Sequence, residues 1–373
     1  MSVQIDVVIP SFRLEEHYLL PILSLKTPAD TQIRFFLVAD NPAVVLSPVI
    51  RQLVDDQRVF LSINPQNMGA ARTRNKAMEM GSGEWILFLD DDITVPVNLL
   101  EIYAEAIRRF PDEIGFIGLV NMPPPVKSFS HAIVASGSMD IFKIAKDRKA
   151  FAWGATANMM ISRRAMGDVR FSEIFPKAGG GEDVDFFMNM RERNGYKDFK
   201  SLPEAAVEHP WWNNEASNFK RPFRYGIGNS LLPQRNPRYA YHDFPNTIET
   251  VFLALLAGIV AAFVKPSLLP AIGLFIAGAA VIEVIAGAVQ SAKRKAKPSA
   301  EVYFYLLLLR LIQEAGMFWG NVSRFRFQGI TERFNYNGSF RKTHFYRTNT
   351  YKLVKWVLYP LLVIWIWRCY TSA

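Results

Sequence analysis

The chain has 373 residues, 50 % of them hydrophobic, a net charge of +9 and one cysteine, Cys369. A lone cysteine excludes an intrachain disulfide framework and fits a reducing compartment, and a strand-like start at Val3 to Ile9 argues against a signal peptide. The positive charge comes without a nucleic-acid-binding motif and gathers beside apolar segments in the last third, so an anionic membrane surface is the expected partner and nucleic acid is not.

In chain order, Ile5 to Ile9 reads as a strand stopped by Pro10. Arg34 to Ala39 reads as a second, ending at Asp40-Asn41-Pro42, and Val59 to Ile63 as a third. Ala70 to Met80 has helical propensity and is closed by Gly81. Trp85 to Leu89 is a wholly apolar run, expected as a buried strand, and it delivers Asp90-Asp91-Asp92 at its end. Leu99 to Phe110 then reads as a helix. Strands alternating with helices predict an α/β fold with a mostly parallel sheet and its ligands at the carboxyl ends of the strands. The run Met122-Pro123-Pro124-Pro125 is expected to be a long loop near the site.

Three adjacent carboxylates repel one another unless a positive charge lies among them. A hard divalent cation carried by a phosphate ligand is the simplest such charge. An acidic turn capping a helix opened by Pro96 accounts for one aspartate, not for three.

Two further segments carry chemistry. Asn67 to Asn75 is a turn followed by a helix with Arg72 and Arg74 in its first turns, where cations oppose the helix dipole. An anion or a stacked base is expected to compensate them, with solvated surface arginines as the plain alternative. Gly179-Gly180-Gly181 leads into a helix that begins Glu182-Asp183 and ends near Gly195. Helical spacing puts Asp183 on a face with Phe186, Phe187 and Met190, and Glu182, Asp185, Asn189 and Glu192 largely on the opposite one. An acid on an apolar face needs a role or a partner, which favours Asp183 as a catalytic base over a simple helix cap.

After Pro245 the composition turns apolar. The expected division is a catalytic domain over 1–240 and membrane-associated helices over 241–373. These are a hairpin at 247–290, a helix lying in the interface at 301–320 with Arg310 and Glu314 four apart, and a last apolar segment at 353–369. That last segment is left open between a span and a headgroup-level anchor. Lys293, Arg294, Lys295 and Lys297 after the hairpin mark a cytoplasmic loop by the positive-inside rule, which puts residues 1–240 on the same side. The following stretch is also basic, with Arg324, Arg326, Arg333, Arg341, Lys342 and Arg347 against Glu332.

Val7-Val8-Ile9-Pro10-Ser11-Phe12, Asp40, the Asn67-to-Asn75 segment, Phe88-Leu89-Asp90-Asp91-Asp92 and the Gly-Gly-Glu-Asp helix occur in order and at familiar separations. Together they resemble glycosyltransferase family 2, inverting enzymes of the GT-A fold, over about residues 3–210. Phe171-Ser172-Glu173 departs from that family's pattern by a serine in place of aspartate. The resemblance implies that Pro10, Ser11, Asp40, Asn67, Arg74, Asp90 and Asp91 hold a nucleotide sugar, Asp40 by accepting from the base. It implies that Asp90 and Asp92 face ribose and metal, with Mg²⁺ or Mn²⁺ on Asp92 and His209, and that Asp183 deprotonates the acceptor hydroxyl. Glu182, Trp211, Trp212, Arg221 and Arg224 are candidate acceptor or diphosphate contacts.

Arg221-Pro222-Phe223-Arg224-Tyr225 is similar to the Gln-x-x-Arg-Trp signature of processive synthases, but both end residues differ, which weakens that reading. The expected function is a membrane-anchored inverting glycosyltransferase, with a nucleotide-sugar donor, a lipid-linked or glycan acceptor and a place at a bacterial inner membrane. A processive polysaccharide synthase, a polyprenyl-phosphate sugar transferase and, outside enzymes, an inactive GT-A membrane scaffold or a transporter are the alternatives.

Overall fold

A computed structural model describes residues 2–340 and 350–371. Arg341, Lys342 and Arg347 of the basic stretch lie outside the described residues. The chain forms two compact units, the first made of 1–124, 139–214 and 335–339, the second of 125–138, 215–334 and 340–373.

The first unit is built on an eight-stranded sheet: β1 (Val3–Ser11), β2 (Thr31–Ala39), β3 (Val59–Ile63), β4 (Trp85–Leu89), β5 (Gly115–Asn121), β6 (Ala150–Phe151), β7 (Asn158–Ser162) and β8 (Phe199–Glu208). Their spatial order is β3-β2-β1-β4-β7-β5-β8-β6. β1, β2, β3 and β4 are mutually parallel, β7 runs against both β4 and β5, and β5 and β8 are again parallel. The expected α/β class with a mostly parallel sheet is therefore the fold the chain adopts. Alternation along the strands sends Val7, Leu37 and Leu87 to one core and Val8, Phe36 and Phe88 to the other. Helices cover both faces, which is why these strands read as nearly continuous apolar runs.

One charge interrupts that pattern. Asp6 is sealed in β1, where Arg34 at 2.9 Å, Arg163 at 2.8 Å and the Gly83 amide at 2.6 Å compensate it. A side chain on Gly83 would put Cβ 2.7 Å from Asp6 Oδ1, so this clamp requires glycine. It ties β1, β2 and the segments flanking β4 and β7 together at the end of the sheet away from the aspartates.

The second unit is helical. Four helices, Thr247–Val264, Pro266–Lys293, Ala300–Val322 and Lys352–Thr371, are long and apolar enough to cross a membrane, and they mark the chain as membrane-associated. Thr247–Val264 starts with a capping box in which Asn246 and Glu249 satisfy each other's backbone amides. The Lys220–Arg235 helix lies closely along Ala300–Val322. A Cβ on Gly226 would fall against the Gln313 carbonyl and one on Gly316 against the Phe223 carbonyl, so glycine sets this close approach. The Ser128–Ser136 helix, entered from the triple-proline loop, contributes Phe129, Ala132 and Ala135 to a cluster with Val302, Leu306 and Leu309.

A candidate active site

The carboxyl ends of β2, β1 and β4 lie side by side, and the resemblance-derived residues sit there in the same order: Asp40, then Ser11, then Asp90 to Asp92. Ser11 is buried, and its hydroxyl donates to Asp91 Oδ2 at 2.5 Å while accepting from the Leu14 amide. Burial, with Asp92 and Asp90 as like charges beside it, pushes the Asp91 carboxyl up to about 6 despite that hydrogen bond. Pro10 precedes Ser11 on β1 and is half-buried.

Asp40 serves the chain itself. It accepts from Asn64 Nδ2 at 2.8 Å, the Met68 amide at 2.7 Å and the Gly69 amide at 2.8 Å. It therefore fixes the turn that carries Asn67, which is exposed and whose carbonyl accepts from Lys177 Nζ. Gly69, at φ 91°, allows the Ala70–Met80 helix to start against the Lys177 carbonyl, which accepts from the Ala70 amide at 2.8 Å.

Asp90, Asp92 and His209 come together because β8 ends beside the aspartate loop. Thr94 and Glu208 exchange backbone hydrogen bonds at 2.8 and 2.9 Å, and the His209 amide donates to the Asn121 carbonyl. His209 Nε2 stands 3.4 Å from Asp92 Oδ1 and 3.9 Å from Asp90 Oδ2. One ligand atom from each of the three residues falls within 4.8 Å of the others. The ring's other nitrogen, Nδ1, is 2.6 Å from the Pro210 carbonyl, which can only accept, so Nδ1 carries the proton and turns the Nε2 lone pair toward the acids. Two carboxylate oxygens and one imidazole nitrogen form a donor set that suits a divalent metal ion. Arg13, which sequence reasoning passed over, reaches Asp92 at 3.7 Å from the end of β1. Its only signal was its place three residues after Pro10.

The Glu182–Arg193 helix packs Phe186 and Phe187 into the core beneath β4, with Phe88 meeting Phe186 edge-on at 6.1 Å. The face assignment read from helical spacing needs correction here. Glu182 and Asp185 are buried, while Asp183 is only half-buried. The helix is covered on most sides, from Val184 through Met188, so it has no polar face for the spacing to reveal. Glu182 Oε2 accepts from the Gly180 amide at 2.7 Å and Oε1 from Arg74 Nη1 at 3.3 Å. Gly179, Gly180 and Gly181 all take positive φ, which is why glycines make this turn. Desolvation first, and the Glu182 carboxylate second, push Asp183 up to about 7, against the hydrogen bond from the Val184 amide and the pull of Arg74. A carboxylate held there is poised to take a proton near neutrality.

Trp211 is buried and donates to the Pro123 carbonyl at 2.9 Å, so it anchors the triple-proline loop. Trp212 is half-buried, edge-on to His209 at 5.5 Å and to Phe142 at 6.2 Å. Arg221 and Arg224 lie on the Lys220–Arg235 helix of the second unit.

Residues 6–173 match the family described as glycosyl transferase family 2. Succinoglycan biosynthesis protein ExoM of Rhizobium meliloti (strain 1021) is 28 % identical over 241 residues, covering 60 % of this chain and 74 % of that protein. Glucosyl-dolichyl phosphate glucuronosyltransferase of Haloferax volcanii is 24 % identical over 119 residues, 31 % of this chain and only 38 % of that protein. Among solved structures, the mannosyltransferase PcManGT from Pyrobaculum calidifontis, in complex with GDP-Man and Mn²⁺, aligns over 86 % of this chain and 88 % of its own at 13 % identity and a TM-score of 0.48.

Proposed function

We propose that the chain is a glycosyltransferase of family 2, supported by the match over residues 6–173 and the likeness to ExoM, and that it is a membrane-anchored inverting enzyme moving a sugar from a nucleotide-sugar donor to a lipid-linked or glycan acceptor. The observation that carries this reading is the meeting of Asp90, Asp92 and His209 at the carboxyl edge of the sheet, with Arg74 reaching both Asp90 and Glu182, the residue before Asp183 on its helix. The relatives' names, a succinoglycan biosynthesis protein and a glucosyl-dolichyl phosphate glucuronosyltransferase, support an acceptor of the polysaccharide or glycolipid kind.

Asp183 accepts the proton of the acceptor hydroxyl as its oxygen attacks the anomeric carbon. The bond to the diphosphate oxygen breaks on the opposite face, so configuration inverts and the nucleoside diphosphate leaves with the electron pair. Asp90, Asp92 and His209 would hold Mg²⁺ or Mn²⁺, which when bound supplies positive charge to the departing diphosphate. Pro10, Ser11, Asp40, Asn67, Asp90 and Asp91 form the nucleotide cradle, Asp40 by shaping the turn beneath it. Trp212 offers an aromatic face to a sugar. Arg221 and Arg224 are candidate diphosphate contacts.

The hairpin of Thr247–Val264 and Pro266–Lys293 spans the bilayer, and its exposed Lys293, Arg294, Lys295 and Lys297 face the cytoplasm with the catalytic domain, at a bacterial inner membrane. The Ala300–Val322 helix rests in the interface.

The test is nucleoside diphosphate release by the purified full-length protein against a panel of sugar nucleotides, with and without chelator. Release from one donor, dependent on the metal, is expected. No release from any donor with Mn²⁺ present would sink the reading. Cysteine labelling in intact cells checks the topology: a probe at Ser267 should react and one at Ser291 should be protected, and the reverse pattern would overturn the orientation.

A further inference from the structure

The strand that delivers His209 breaks its ladder on the way. β8 pairs with β5 up to Leu202 opposite Gly118 and resumes with Ala206 opposite Leu119, which leaves Pro203, Glu204 and Ala205 over on β8. Pro203 has no amide to give a ladder, so the break falls there. Leu119 and Ala205 are buried at the break, where a carbonyl without a donor is costly. One side chain satisfies both. Asn158, on β7 and sealed from solvent, donates from Nδ2 to the Ala205 carbonyl at 2.7 Å and to the Leu119 carbonyl at 3.1 Å. Its Oδ1 accepts from the Tyr103 hydroxyl at 2.7 Å. Carbonyls only accept, so the amide nitrogen must face them and the side chain has one orientation. A Cβ on Gly118 would fall against Asn158 Nδ2 and the Tyr103 hydroxyl, so glycine makes the space they occupy.

These contacts join the two halves of the metal site. β7 lies between β4 and β5. Asn158 stands opposite Leu89, the residue before Asp90, and the Ala157 carbonyl accepts from the Asp90 amide at 3.4 Å. Tyr103 is on the Leu99–Arg109 helix that follows the aspartates. Past the break, β8 sets Val207 against Val120 and Glu208 against Asn121, and the chain arrives at His209. Resting on the metal site proposed above, we infer that Asn158, held by Tyr103, is a positioning residue that sets where β8 resumes and so brings His209 Nε2 to Asp90 and Asp92. The hydrogen bonds of its side chain run to strand backbone and to Tyr103, so it acts through His209 and not on the ion. A leucine of similar size fills the space but leaves two buried carbonyls without their donor. A one-residue shift along a strand reverses the face that every side chain meets, so the break has to be held to the residue.

The experiment uses the full-length protein in detergent with Mn²⁺ as the probe, titrated alone and with UDP or GDP. Paramagnetic resonance measures bound Mn²⁺, and its pulsed form reads the coupling of an imidazole nitrogen to the ion. Wild type should show that coupling, and His209→Ala should lose it. Asn158→Leu should weaken Mn²⁺ binding by ~10–100-fold, the scale of residues that orient a metal ligand, and lose the nitrogen coupling although His209 is present. Tyr103→Phe, which takes one hydrogen bond from Asn158, should weaken Mn²⁺ by ~5-fold. In His209→Ala, adding Asn158→Leu should weaken Mn²⁺ no further, because no imidazole remains at the site to be placed. Asp6→Asn is the control for stability. It loosens the clamp at the far end of the sheet and should lower the melting temperature with Mn²⁺ affinity unchanged.

An Asn158→Leu protein that melts lower but keeps wild-type Mn²⁺ affinity and nitrogen coupling would reduce Asn158 to a stabilising role and overturn the inference. Equal losses from Asn158→Leu with and without His209 would also overturn it, since the effect would not pass through that ligand. Should Asn158→Leu fail to fold, Tyr103→Phe decides, and unchanged Mn²⁺ affinity there sinks the idea. A wild type that binds no Mn²⁺ ends the metal site and this inference together. One that binds Mn²⁺ but releases no diphosphate from any sugar nucleotide ends the transfer reading alone, and the Asn158 measurements stand.

Discussion

In the helical unit, buried acids meet cations of their own. Glu249 is paired with Arg333 at 2.6 Å, and Glu283 with Lys355 at 2.6 Å and Arg310 at 3.3 Å, while Thr247 donates to Glu283 at 2.5 Å. At the carboxyl edge of the sheet, Asp90, Asp91, Asp92, Glu182 and Asp183 draw on Arg74 and, from an exposed position, Arg13. Burial and like charge there push Asp91 to about 6 and Asp183 to about 7. The same residue types thus do two things. Matched acids hold helices together. Crowded ones hold negative charge that a cation or a proton relieves, and that is a property of a site.

The comparison breaks first at the metal. Chelation should abolish transfer, and added Mn²⁺ or Mg²⁺ should restore it, while Asp92→Ala should resemble the chelated enzyme whatever metal is added. Full activity of Asp92→Ala in excess chelator would place the acids with the structural ones. Next, Asp183→Asn should cost ~10²–10⁴ in kcat, the usual worth of a general base, with diphosphate affinity nearly unchanged. Steady-state kinetics beside calorimetry separates the two.

Glu283→Gln sharpens the contrast from the other side. Removing one member of a buried pair costs about 3–5 kcal/mol, so denaturation in detergent should show a loss of that order, with turnover per folded molecule unchanged. The double variant Glu283→Gln/Lys355→Met should lose less than the two single losses added together. A Glu283→Gln protein that stays stable but loses turnover would move this cluster into the chemistry.

The difference between the two regions also decides what could be read in advance. Asp90 to Asp92 announced themselves because a five-residue apolar strand with three acids behind it has few physical explanations. The hairpin was legible for the same reason, as long apolar runs with a basic flank. The Glu182–Arg193 helix misled because period reasoning presumes a wet face, and this helix is packed on most sides. β7 and β8 are not foretold by alternation, since β7 is buried throughout and β8 changes register against β5 between Gly118 and Leu119. Nor does sequence say that residues 335–339 return to the catalytic unit, where the Tyr336 carbonyl accepts from Trp153 Nε1 at 2.9 Å. Such partners are fixed by tertiary packing, not by local pattern.

The central claim is that Asp183 is the base, and the pH dependence of turnover tests it most directly. A base must be ionised to act, and its proton affinity here is raised to about 7. At saturating donor and metal, kcat should therefore fall about tenfold for each pH unit below about 7 and level off above it. In Asp183→Asn that limb should vanish, leaving a low, flat profile, while Glu182→Gln should keep the limb and lose less rate. An Asp183→Asn enzyme that keeps both the limb and a rate near wild type, with Glu182→Gln the more damaging change, would contradict the account.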